Sequence, residues 1–88
     1  PEPNLLSSGA IMFNLIGLPE GQYLSVDKRL EKISQIEGAF LHWYGKESEK
    51  PGRKLGHVTF LLNELDEVSR RNEAKKLRDL IRSIWPML

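Results

Sequence analysis

Residues 39–62 read AFLHWYGKESEKPGRKLGHVTFLL, and this stretch decides the fold. Ala39 to Lys46 is rich in aromatics and short enough for a strand. Phe40, His42 and Tyr44 would share one face, and Leu41 and Trp43 the other. Gly56 to Leu62 alternates in the same way. Val58, Phe60 and Leu62 face one side, and His57, Thr59 and Leu61 the other. Between the two runs, Glu47 to Lys54 is polar and turns at Pro51-Gly52. Two alternating runs around such a turn predict a β-hairpin with a charged tip.

Outward from the hairpin, Ala10 to Ile16 is a nearly continuous apolar run closed by Gly17. Its length suits a buried strand better than a helix. Gly17-Leu-Pro-Glu-Gly21 reads as a turn. Val26, Leu30, Ile33 and Ile36 fall at helical spacing, with Ser25 or Asp27 as cap and Gly38 beyond the end. The spacing predicts a helix over about 26–37. Asn63 to Asp66 is a second capping region. From Glu67 the residues Val68, Ala74, Leu77, Leu80, Ile81, Ile84 and Trp85 form an apolar stripe that Pro86 ends. Residues 1–8 (PEPNLLSS) read as a linker or arm, because two prolines flank a charge and no periodic element begins there. The expected domain is thus 9–88. Its class is α+β: a small, mainly antiparallel sheet of about three strands with one hairpin, and two helices packed on it.

The chain has 88 residues, one small domain's worth. That is short for an independent enzyme with two substrates. Thirteen Lys and Arg stand against twelve Asp and Glu, a net charge of +1, so whole-chain charge offers no argument for nucleic acid or an anionic membrane. There is no cysteine, which excludes disulfides, thiolate zinc sites and cysteine nucleophiles and permits a reducing compartment. No apolar run approaches the roughly 20 residues needed to span a bilayer.

Chemistry concentrates in the hairpin tip. Lys46, Lys50, Arg53 and Lys54 face only Glu47 and Glu49 there. Gly52 and Gly56 permit backbone conformations that other residues resist, and would leave amides open to an anion. Arg53 offers a planar donor fork to a phosphate, whereas lysines act as point charges. A phosphate-bearing ligand is the functional reading; a solvated hairpin tip is the plain one. The spacing matches no P-loop, no dinucleotide fingerprint and no KH clamp. His42 and His57 could face each other across the hairpin, but two histidines make a poor metal site, so no metal is expected. Each is better read as orienting the loop. Phe40, Trp43, Tyr44 and Phe60 could stack bases beside the cations, yet alternating aromatics on strands usually fill a core. Glu64, Asp66 and Glu67 read as helix caps.

Asn14-Leu-Ile-Gly17, then Leu41-His-Trp-Tyr-Gly-Lys46, then Pro51-Gly-Arg-Lys-Leu-Gly-His57 resemble a known family in order and spacing. It is the C-terminal domain of N5-carboxyaminoimidazole ribonucleotide synthetase (PurK), the ATPase subunit of phosphoribosylaminoimidazole carboxylase. The likeness covers about residues 9–62. It implies an ATP-grasp ligase of purine biosynthesis, cytoplasmic, that carboxylates aminoimidazole ribonucleotide with ATP and bicarbonate. ATP and Mg2+ would serve the full-length enzyme on other domains of the same polypeptide. None is expected to bind these 88 residues, which would be inactive alone. The full-length enzyme could be a homodimer. By position, the resemblance implies that Lys46, Arg53 and Lys54 contact the substrate phosphate, with Gly52, Gly56 and His57 supporting the loop. Lys50 departs from the arginine that many relatives have before Pro-Gly. The resemblance implies neither nucleic acid nor membrane as a partner. The alternative reading is a non-catalytic module presenting its basic hairpin to RNA or another polyanion.

Overall fold

The computed structural model describes residues 4–6, 9–45 and 50–86. The elements run β1 (Asn4–Leu6), β2 (Ala10–Ile16), α1 (Val26–Ser34), β3 (Ala39–Trp43), β4 (Lys54–Leu61) and α2 (Glu67–Ile84). The four strands form one sheet in the order β1-β2-β4-β3, with every neighbouring pair antiparallel. Strands β2 and β3 therefore point the same way on either side of β4. Helix α1 carries the chain from one to the other, a split β-α-β arrangement. The α+β class and the hairpin follow the sequence.

Both helices cover one face of the sheet. Ile11, Phe13 and Leu15 of β2 meet Leu55, Val58 and Phe60 of β4, Ile33 of α1, and Ala74 and Ile81 of α2, with Trp85 just past its end. Strand alternation supplies the sheet side of this core, and 3.6-residue spacing supplies the helix side. Ser25 caps α1 by accepting from Lys28 N at 3.3 Å. Asp66 caps α2, its Oδ1 accepting from Ser69 N at 2.9 Å. That contact holds the Asp66 carboxyl below its ordinary value. The opposite face of the sheet carries Met12, Asn14 and Ile16 of β2, Phe40 and His42 of β3, and His57, Thr59 and Leu61 of β4. No described helix covers it.

Several boundaries differ from the sequence reading. Part of the expected arm is a strand: Asn4–Leu6 pairs with Met12, Ile11 and Ala10. Three residues are too few to show alternation, and the open edge of β2 supplies the partner. Helix α1 stops at Ser34, three residues early. Gly38 does adopt the left-handed conformation (φ +81°), but in the turn before β3. Strand β3 ends at Trp43, and β4 begins two residues earlier than expected, at Lys54. Of the expected helical stripe, Val68 and Leu80 are exposed. Arg29, read as a polar position between apolar ones, is buried. Its Nε donates to Leu24 O at 2.8 Å, and its guanidinium lies 4.2 Å over the Trp85 ring.

Candidate functional site

The basic loop is fastened at its root. Arg53 N donates to Lys50 O at 3.1 Å, closing a turn with Pro51 and Gly52 at its centre. Gly52 has φ +78°, the left-handed value that the third position of a type II turn requires. The turn is also tied to the end of β2. Gly52 N donates to Gly17 O at 2.9 Å, and Gly17 N donates to Arg53 O at 2.7 Å. A Cβ on Gly17 would stand 1.9 Å from Lys50 O, so the two segments approach as only glycine allows. Asn14-Leu-Ile-Gly17 and Pro51-Gly-Arg53, far apart in sequence, are thus one structural unit.

This tie corrects the expectation about amides. The Gly52 amide is engaged by Gly17 O and is not open to an anion. Gly56 is needed for a close approach instead: a Cβ there would lie 2.5 Å from His42 O. The cationic character of the loop therefore rests on side chains. Lys50, Arg53 and Lys54 are exposed. Lys46 lies outside the described residues, as do Glu47 and Glu49.

A bulge decides where Lys54 points. Leu15 pairs with Gly56, but Ile16 pairs with Lys54, so Leu55 is an extra residue in β4. Strict alternation would place Lys54 on the core side with Gly56, Val58 and Phe60. The bulge turns it to the face of Ile16 and His57, while Leu55 is buried. The sequence carries the trace of this: Leu55 and Val58, both apolar and both buried, are three residues apart.

Beside Lys54 on that open face lies a ring cluster. His42 and His57 are direct cross-strand partners, stacked with centroids 5.1 Å apart and planes at 8°. The Tyr44 hydroxyl and His57 Nδ1 share a hydrogen bond of 2.9 Å. Tyr44 N donates to Leu55 O at 3.0 Å, which extends the hairpin past β3. Burial, and then the neighbouring His42 and Lys54, hold His57 below the ordinary histidine value. Across β2, Asn14 stands opposite His57, and its buried Oδ1 has no hydrogen-bond partner among the described residues. The aromatic set divides: Phe60 is buried and Trp43 half-buried, whereas Phe40 and Tyr44 are exposed on the open face. Sequence reasoning set Tyr44 beside the loop but missed that Gly17 fastens it.

Trp85 braces this end from the core side. Its Nε1 donates to Ile16 O at 2.7 Å, and its ring lies 6.2 Å from that of Trp43. Among the described residues no group of three or more His, Cys, Asp or Glu is placed to hold a metal ion. Nor does any glycine-rich segment there open a helix as a nucleotide loop does. These described residues do not fit Mg2+ or ATP. No helix among them is long and apolar enough to cross a membrane.

Residues 10–71 match the family described as the phosphoribosylaminoimidazole carboxylase C-terminal domain, and the chain belongs to it. The relatives it resembles include N5-carboxyaminoimidazole ribonucleotide synthases and phosphoribosylaminoimidazole carboxylases. The synthase of Synechococcus elongatus is 38% identical over 78 residues, 89% of this chain and 20% of the relative. Solved structures are similar as well. The phosphoribosylaminoimidazole carboxylase ATPase subunit from Aquifex aeolicus has a TM-score of 0.60 at 28% identity, over 86% of this chain and 20% of that one. The Aspergillus clavatus synthase in complex with ADP and 5-aminoimidazole ribonucleotide has a TM-score of 0.56 at 30% identity, over 82% of this chain and 18% of that one. The chain thus spans about a fifth of the length of the relatives it matches.

Proposed function

We propose that this chain serves as the C-terminal domain of the cytoplasmic ATP-dependent ligase that carboxylates aminoimidazole ribonucleotide with bicarbonate in purine biosynthesis. In this reading it lends Lys46, Arg53 and Lys54 to the ribonucleotide phosphate, and Gly52, Gly56 and His57 support the loop. ATP and Mg2+ act on the remaining ATP-grasp domains of the same polypeptide, and the 88 residues alone are inactive.

One observation carries the reading. The loop bearing Arg53 and Lys54 is fastened to Gly17 by two backbone hydrogen bonds, and a bulge turns Lys54 onto the open face. A solvated hairpin tip needs neither device. Preorganised cations lose less freedom when they meet an anion, so they bind it better than mobile ones. Arg53 supplies two parallel N–H donors, and the lysines add charge. Phe40, Leu61, Leu65 and Val68 are exposed, which supports packing against further domains of a longer polypeptide.

With this domain carried in the ATP-grasp polypeptide, Arg53→Ala should raise KM for aminoimidazole ribonucleotide by about ten- to a hundredfold, the worth of a charge-assisted contact. KM for ATP should hardly move. Equal effects on both substrates would make Arg53 a structural residue.

A further inference from the structure

The ring cluster beside Lys54 has a property that loop support does not require. His42 and His57 stack face to face at 5.1 Å, so a proton on one ring opposes a proton on the other. Among the described residues of the strands, the charged group set beside the pair is the cationic Lys54. Strand β2 offers Met12, Asn14 and Ile16 on that face, β3 offers Phe40, and β4 offers Lys54 and Thr59. Tyr44 follows β3. No described residue of these strands is acidic. Among the described residues of these strands, then, none brings the pair negative charge.

Resting on the phosphate reading above, we propose that the stacked His42–His57 pair is a proton site linked to anion occupancy of the basic loop. A dianion held by Arg53 and Lys54 draws one proton onto the stack from solvent. The cluster is built to take it. With His57 neutral, the Tyr44 hydroxyl donates to Nδ1. With the ring protonated, Nδ1–H donates to the hydroxyl oxygen, so the 2.9 Å bond survives both states. Asn14 Oδ1, an acceptor without a donor, stands opposite His57 in register. The direction of the His57 shift agrees. Lys54 is one of its causes, and an anion on Lys54 removes that cause. The folded chain takes the proton at a lower pH than the unfolded chain does. Anion binding moves this uptake back up toward the ordinary value.

The test uses the 88-residue protein and inorganic sulfate, which stays a dianion throughout the range in which histidine titrates. The histidine ring C–H resonances are followed from about pH 5 to 8 with and without sulfate, at constant ionic strength. Backbone amide shifts of Arg53 and Lys54 are recorded alongside. Sulfate should move those amides and raise the titration midpoint of the pair. It should also bind about threefold more tightly at the acid end than at the alkaline end. In Lys54→Ala the effect of sulfate on the midpoint should shrink. If the Arg53 and Lys54 amides respond while the midpoint stays still, the linkage is wrong and the phosphate reading stands. If neither responds, the phosphate reading falls and the linkage falls with it. A midpoint that moves equally in Lys54→Ala also overturns the proposal, because the anion then acts from elsewhere.

Discussion

Gly17 shows how much can rest on a missing side chain. Its amide and carbonyl both bond the basic turn, and Lys50 O occupies the space where a Cβ would go. Gly17→Ala must push two backbones apart. The expected cost is about 1–3 kcal/mol or more, the range for overpacking a tight site, and chemical denaturation measures it. The same variant should shift the amides of Lys50, Gly52 and Arg53, because the turn loses its fastening. Gly52→Ala would instead strain the φ of one turn residue and leave the contact between segments intact. At this scale the sequence is partly legible. The residue types narrow the caps to Ser25 or Asp27 and to Asn63–Asp66, and the structure selects Ser25 and Asp66. The tie between Gly17 and Arg53 is not legible, because glycine signals a turn whether or not another segment passes close by. Arg29 is not legible either. It stands at a polar position of the helical pattern, and its burial follows from tertiary partners such as Leu24 O and the Trp85 ring just past α2.

Helix α2 shows the same limit one level up. Its amphipathic pattern is plain in the sequence, but pattern alone ranks Leu80 and Ile81 alike. The structure separates them: Ile81 is fully buried and Leu80 is 43% exposed. Ile81→Ala should cost about 2–5 kcal/mol by leaving a cavity, and Leu80→Ala well under 1 kcal/mol. Urea denaturation of both variants checks the ranking; equal losses would mean that α2 sits differently on the sheet. Just past α2, Trp85 ties the chain to the last residue of β2. The same helix therefore holds the strand end from which the basic loop is fastened. Strand β4 was legible from Gly56 onward, where alternation is regular. Its first two residues were not, because the bulge at Leu55 breaks the period on which that reading depends. Strand β1 was illegible for another reason. Three residues acquire their conformation from the edge of β2 rather than from any pattern of their own.

Across the whole molecule, the two helices close one face of the sheet, and the other face gathers the features on which the proposed function rests. Arg53 and Lys54 lie at one end of β4, the histidine stack lies beside them, and the exposed Phe40 and Leu61 lie toward the far end. The near-neutral net charge conceals this arrangement, because the described strands carry no acidic residue while the helices do. The proposed phosphate role predicts a local response to ligand, not a global one. The most direct measurement is an amide shift map of the isotopically labelled chain titrated with aminoimidazole ribonucleotide. The account predicts weak binding, with shifts concentrated at residues 44–57 and centred on Lys46, Arg53 and Lys54, while the solvent face of α2 stays silent. A loop that remains unmoved at high ligand while distant surfaces respond would contradict it.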